Sequence, residues 1–129
     1  MTYVVDTHSL VWFLERNPRL GSHARDALRD PAAELVIPTI VLAEVAFLYA
    51  RQRIAIDLPG VLAHIASAPN CAIYPLDEAV VERLPTTLDI HDAVIVATAI
   101  VLRDALGRRT ALITKDTAIE ASGLVEVVW

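Results

Sequence analysis

Short apolar runs alternate with polar punctuation along this chain, and the period of the pattern changes from run to run. Thr2 to Val5 is β-branched and aromatic and ends at Asp6, which predicts a buried strand. Ser9 to Glu15 predicts a helix stopped by Asn17-Pro18, and Ser22 to Asp30 a second helix with Ser22 as N-cap and Pro31 beyond its end. Leu35 to Ile37 is the next strand, followed by Pro38-Thr39 and a helix to about Gln52. Asp57 to about Ser67 predicts another helix, with Pro59 accommodated in its first turn. Cys71 to Tyr74 is a third strand, with a short helix from Asp77 to Leu84 after it. A helix from Asp89 or His91 runs to Leu106 and ends at Gly107. Ala111 to Ile113 is a fourth strand and Val125 to Val128 an edge strand.

Strands that alternate with helices predict right-handed crossovers and a parallel sheet covered on both faces. The expected fold is a three-layer α/β/α domain over residues 1–129, with a central, mostly parallel sheet of four or five strands. Ligands of such sheets sit beyond the carboxyl ends of the strands.

Composition narrows the class. The 129 residues are 55% hydrophobic and 21% charged, which excludes a disordered chain or a coiled coil. Cys71 is the only cysteine, so neither a disulfide framework nor a cysteine zinc site is available, and a reducing, cytoplasmic setting is expected. A net charge of −5 argues against a bulk electrostatic binder of nucleic acid. The basic residues are ten Arg and one Lys, a balance suited to planar, bidentate contacts. The longest apolar stretch, Leu35 to Ala50, is too short for a bilayer and contains Pro38 and Glu44, so no membrane association is expected.

Four acids carry the candidate chemistry. Asp6 leaves the end of the first strand and Asp116 follows the fourth by two residues, which puts both on one edge of a parallel sheet. Glu44 is the only charge between Leu35 and Ala50, on a helix whose all-round apolar character predicts burial. A carboxylate there costs several kcal/mol unless something offsets its desolvation. Asp92 opens a helix whose next ten residues are uncharged, and Asp89 is expected to cap it. Asp6 and Asp116, taken singly, are equally good helix N-caps. Taken together, the acids have a common cause in a divalent cation, since gathered carboxylates protonate unless a positive charge compensates them. All-oxygen donors suit Mg²⁺ or Mn²⁺ and metal-assisted phosphodiester hydrolysis.

The blocks Val4-Val5-Asp6-Thr7-His8, Ile37 to Val45, His91 to Ala99 and Leu112-Ile113-Thr114-Lys115-Asp116, in this order, resemble PIN-domain proteins, and most of all VapC-type toxins of bacterial toxin–antitoxin pairs. The resemblance implies a PIN-like fold and a Mg²⁺- or Mn²⁺-dependent endoribonuclease acting on RNA and held inactive by a cognate antitoxin. It implies Asp6, Glu44, Asp92 and Asp116 as metal ligands and catalytic acids, with Thr114 as the hydroxyl residue that orients a metal-bound water. The high apolar content adds the expectation of a homodimer that also offers an apolar groove to an antitoxin segment.

Other residues have plainer readings. His8 and His91 are polar neighbours of the acids, His23 and His64 ordinary helix residues, and Trp12, Phe13 and Phe47 core. Arg16, Arg19, Arg51 and Arg53 are either a rim for RNA or solvated helix ends, and Lys115 either a phosphate contact or a loop lysine. Two rival functions stand beside the nuclease: a receiver-like phosphoacceptor domain using Asp77, and a non-catalytic binding module on the same fold.

Overall fold

The computed structural model describes residues 1–129. The elements, in chain order, are β1 (Thr2–Val5), α1 (Thr7–Leu14), α2 (Ser22–Arg29), β2 (Glu34–Pro38), α3 (Thr39–Ala50) and α4 (Leu58–Ser67), then β3 (Cys71–Tyr74), α5 (Glu78–Val81), α6 (Ile90–Ile100), β4 (Thr110–Ile113), α7 (Thr117–Ser122) and β5 (Val127–Val128). The sheet order is β3-β2-β1-β4-β5 and all four pairings are parallel. With helices flanking the sheet, this is the three-layer α/β/α arrangement expected.

The order excludes the receiver-like alternative, in which β1 lies between β2 and β3. Here β1 lies between β2 and β4. The chain moves outward from β1 to β3 and then returns to the far side of β1, so its direction reverses between β1 and β4. Such a reversal opens a crevice at the strand ends. Asp77, the acceptor in that alternative, instead caps α5 by accepting from the Val80 amide.

β1, β2 and β4 are apolar on both faces and form the core with Leu10, Val11, Ala24 and Leu28 from α1 and α2, Val41 and Val45 from α3, and Ile95 and Val96 from α6. In α6 every residue from Ala93 to Ala99 is buried. A uniformly apolar sequence does the same for that helix as its pattern predicts. α3 departs from it: only Val41 and Val45 are buried, while Phe47 is 62% exposed and Ala43 and Tyr49 also face solvent. One face of α3 packs on α1, α4 and the sheet, and nothing in the chain covers the other. Phe47 is therefore no core residue.

Helix starts also differ in detail. α1 begins at Thr7 with Asp6 as its cap, two residues before the expected Ser9, and α2 takes Gly21 rather than Ser22 as N-cap. A Cβ at Gly21 would lie 2.6 Å from the Trp129 carbonyl carbon and 2.7 Å from its ring. Glycine is what allows Trp129 to settle there. The last turn of the α6 helix, Val101–Ala105, widens to π geometry before Gly107 ends it at φ +64°.

Candidate functional site

Asp6 and Asp116 are fixed by the parallel register. Val5 pairs with Ile113, and the Asp6 amide donates to the Ile113 carbonyl at 3.2 Å, so both chains leave the sheet at one level. Each acid then begins a helix. Asp6 Oδ1 accepts from the Ser9 amide (2.9 Å), and Asp116 Oδ1 accepts from the amides of Ala118 (2.8 Å) and Ile119 (3.0 Å). Capping occupies one oxygen of each carboxylate.

Glu44 comes in from α3, half-buried, with Oε1 accepting from the Thr7 hydroxyl at 3.0 Å. The offset to its desolvation is therefore a hydroxyl beside Asp6, with no ion pair involved. The nearest helical arginine, Arg51, stacks 5.5 Å over the Phe47 ring instead. Asp92 lies in the first turn of α6, after Asp89, whose Oδ1 caps the helix through the His91 amide. That matches the expected role of Asp89.

All four acids line one cleft of about 530 Å³, together with Thr7, His8, Trp12, Lys115 and Thr117. None of the four is paired with a cation. The result is visible at Asp92, whose carboxyl is pushed up to about 6, first by burial, then by the charges of Asp116, Asp89 and Glu44 and by a hydrogen bond to Asp116. As they stand, no three of the acids converge closely enough to clasp one ion. Their chemistry nevertheless fits a hard divalent cation: the donors are all oxygen, the charges repel, and Asp6 and Glu44 each keep one oxygen out of protein hydrogen bonds.

Thr114 lies elsewhere. It is 1% exposed, and its hydroxyl accepts from the Asp116 amide at 3.1 Å, shaping the turn that presents Asp116. The hydroxyls on the cleft are those of Thr7 and Thr117. Sequence reasoning overlooked both, although their place directly after Asp6 and Asp116, in the first turn of a capped helix, was a usable signal. Trp12, expected in the core, is a half-buried wall of the cleft. His8 lies 5.6 Å from its ring, and Arg19 and Lys115 each stand 5.9 Å above it. Cys71 contributes nothing here; burial raises its thiol above the ordinary value, which disfavours the reactive thiolate.

A family model of the PIN domain matches residues 3–122. Among solved structures, the chain is similar to one in the VapBC2 complex from Rickettsia felis bound to a DNA fragment from their promoter. That match has TM-score 0.70 and 16% identity, over 98% of this chain and 97% of the other. It is also similar to a chain of a toxin–antitoxin complex from Klebsiella pneumoniae (TM-score 0.64, 24% identity, 98% and 96% covered). A third is in VapBC-1 from nontypeable Haemophilus influenzae (TM-score 0.65, 15% identity, 98% and 96% covered). At such identities these likenesses speak for the fold. No curated protein sequence matches the chain.

Proposed function

The chain belongs to the PIN-domain family, and on that premise we propose that it is a divalent-metal-dependent endoribonuclease, the toxin of a toxin–antitoxin pair. PIN domains are nuclease domains, and the structurally similar chains come from toxin–antitoxin complexes. The observation that carries the reading is the cleft itself: four carboxylates on four separate elements, without a single cation among their partners.

Asp6, Glu44, Asp92 and Asp116 would hold the Mg²⁺ or Mn²⁺. The ion, when bound, supplies Lewis-acid activation of water and charge neutralisation at the phosphodiester. The protein's own part is positioning. The helix caps fix Asp6 and Asp116, Thr7 fixes Glu44, and Thr114 holds the Asp116 turn, acting on the site through that acid. Lys115 stands on the cleft rim, where it can meet a phosphate oxygen.

Two partner surfaces go with this role. The exposed α3 face around Phe47 is the homodimer contact. The apolar groove of Leu10, Phe13, Leu28, Ile65 and Cys71, between α1, α2 and α4, takes an apolar segment of the antitoxin.

The direct test is cleavage of RNA by the full chain with Mg²⁺ or Mn²⁺, against an EDTA control. Asp92→Asn is expected to lose activity by on the order of 100-fold or more. Metal-independent cleavage would overturn the metal-dependent reading, and no cleavage with either ion would leave the non-catalytic module.

A further inference from the structure

Trp12 has a second neighbour besides the acidic cleft. Where α1 ends and α2 passes, a depression of about 450 Å³ is lined by Trp12, Asn17, Arg16, Arg25, Arg29 and His64, among others. No carboxylate lines it, and none of the three arginines is in an ion pair. In a chain of net charge −5 this is a local concentration of unneutralised guanidinium. It shares the Trp12 wall with the acidic cleft, so the two depressions are adjoining.

Arg16 stands there against its backbone preference. α1 closes with the Arg16 amide donating to the Phe13 carbonyl (3.2 Å) and the Asn17 amide to the Trp12 carbonyl (2.8 Å). In that closure the residue after the cap adopts left-handed geometry and is usually glycine. Arg16 has φ +54°. Arg25 is half-buried and partly oriented, its Nη2 donating to the Leu20 carbonyl at 3.1 Å, and Arg29 follows one turn later on α2. Two arginines are thus presented from one helix and a third from a strained turn, around one pocket.

We propose that Arg16, Arg25 and Arg29 form a phosphate subsite for the RNA chain flanking the bond to be cut, with Trp12 as the surface the intervening nucleotide crosses. The inference rests on the endoribonuclease reading. A nuclease whose reactive cleft is anionic needs cations beside it to hold the strand, and guanidinium groups suit phosphate oxygens. The half-buried indole, flanked by cations on a polar path to the acids, is the setting in which single-stranded nucleic acid stacks. An acidic protein segment would find the arginines equally attractive, and Phe13, Leu14 and His64 continue the pocket into the apolar groove; the Trp12 wall shared with the cleft is what favours the RNA strand.

The test uses the full chain in EDTA, so that no cleavage occurs, and a 12-nucleotide single-stranded RNA with a fluorescent label, followed by anisotropy over a range of salt. The double variant Arg25→Ala/Arg29→Ala is expected to weaken binding by roughly tenfold or more. It should also flatten the slope of log affinity against log salt by about 1.4, two phosphate contacts at about 0.7 each. Arg25→Lys/Arg29→Lys should retain most of the slope. With Mg²⁺ or Mn²⁺ restored, the alanine double variant should raise KM and leave kcat close to wild type. Arg16→Gly is the discriminating variant: it relieves the left-handed backbone, so the melting temperature holds or rises while RNA binding weakens. Unchanged RNA affinity, salt slope and KM in an enzyme that still cleaves would overturn the subsite and leave the nuclease standing. Loss of binding to a polyglutamate peptide in those same variants would then identify the pocket as a protein contact. A wild-type chain that neither binds nor cleaves RNA would remove both.

Discussion

At Asp92 burial, and after it the charges of the neighbouring acids, disfavour the ionised form. Its carboxyl is raised to about 6 in the folded protein, against an ordinary value of 3.8. A raised carboxyl favours the protonated native state, so its contribution vanishes below about pH 4, where both states are protonated. The penalty grows as pH rises through the window from about 4 to 6, and is fully present above 6. Asp92→Asn, which carries no buried charge, is therefore expected to melt higher than wild type at pH 8 without metal, by roughly 3 °C or more, and at the same temperature as wild type at pH 4. Calorimetry at the two values checks both signs. A gap that was widest at pH 4 would contradict the cause assigned here. Asp6 gives the complementary prediction. Asparagine caps a helix as well as aspartate, whereas alanine costs roughly 1 kcal/mol. Asp6→Asn should abolish cleavage at nearly unchanged stability, and Asp6→Ala should lose both. At this scale the sequence was informative about charge and silent about partners. Glu44 stood out because an isolated acid in an apolar run is costly, but the hydroxyl that satisfies it lies 37 positions away and leaves no local trace.

Among the elements, the strands and most helices were legible, because β-branched runs and capping acids leave strong local signals. What escaped was set by tertiary context. α3 and α6 read alike in sequence, both apolar all round. α6 lies against the sheet and α5 and is buried from Ala93 to Ala99, while α3 keeps a bare face. Hydrophobicity says a face will be covered, not by which chain. The need for glycine at position 21 has the same origin, since it comes from Trp129, more than a hundred positions away. Gly21→Ala is expected to destabilise by about 1–3 kcal/mol, the usual cost of forcing atoms into a filled space. Because Trp129 packs edge-on to Trp12 at 6.0 Å, the same variant should alter tryptophan fluorescence. An unchanged melting curve and spectrum would show that Trp129 moves aside freely.

For the whole molecule, the expected sheet was correct in its parallel character, and its order decides the site. Strand order cannot be read from a single chain, because right-handed crossovers permit several. The order found here puts the reversal between β1 and β4, where Asp6 and Asp116 emerge. A cation that binds only the folded chain must stabilise it as a whole, by about 2.7 kcal/mol at a hundredfold excess over its Kd. Mg²⁺ or Mn²⁺ should thus raise the melting temperature of wild type, and much less that of Asp92→Asn. Association is the other property at this scale. Sedimentation of wild type at micromolar concentration should show a dimer and Phe47→Glu a monomer. A wild-type monomer would leave the bare α3 face without the use proposed for it.

The division of labour within three of the carboxylates has a consequence for how an ion would be received. Because one oxygen of Asp6, Glu44 and Asp116 is tethered by the fold, the rotational freedom of those side chains is surrendered when the chain folds, not when the ion arrives. Asp92 caps no helix and is held through Asp116 instead. Since no three of the acids meet closely enough as they stand, an ion would have to draw these side chains inward against their tethers.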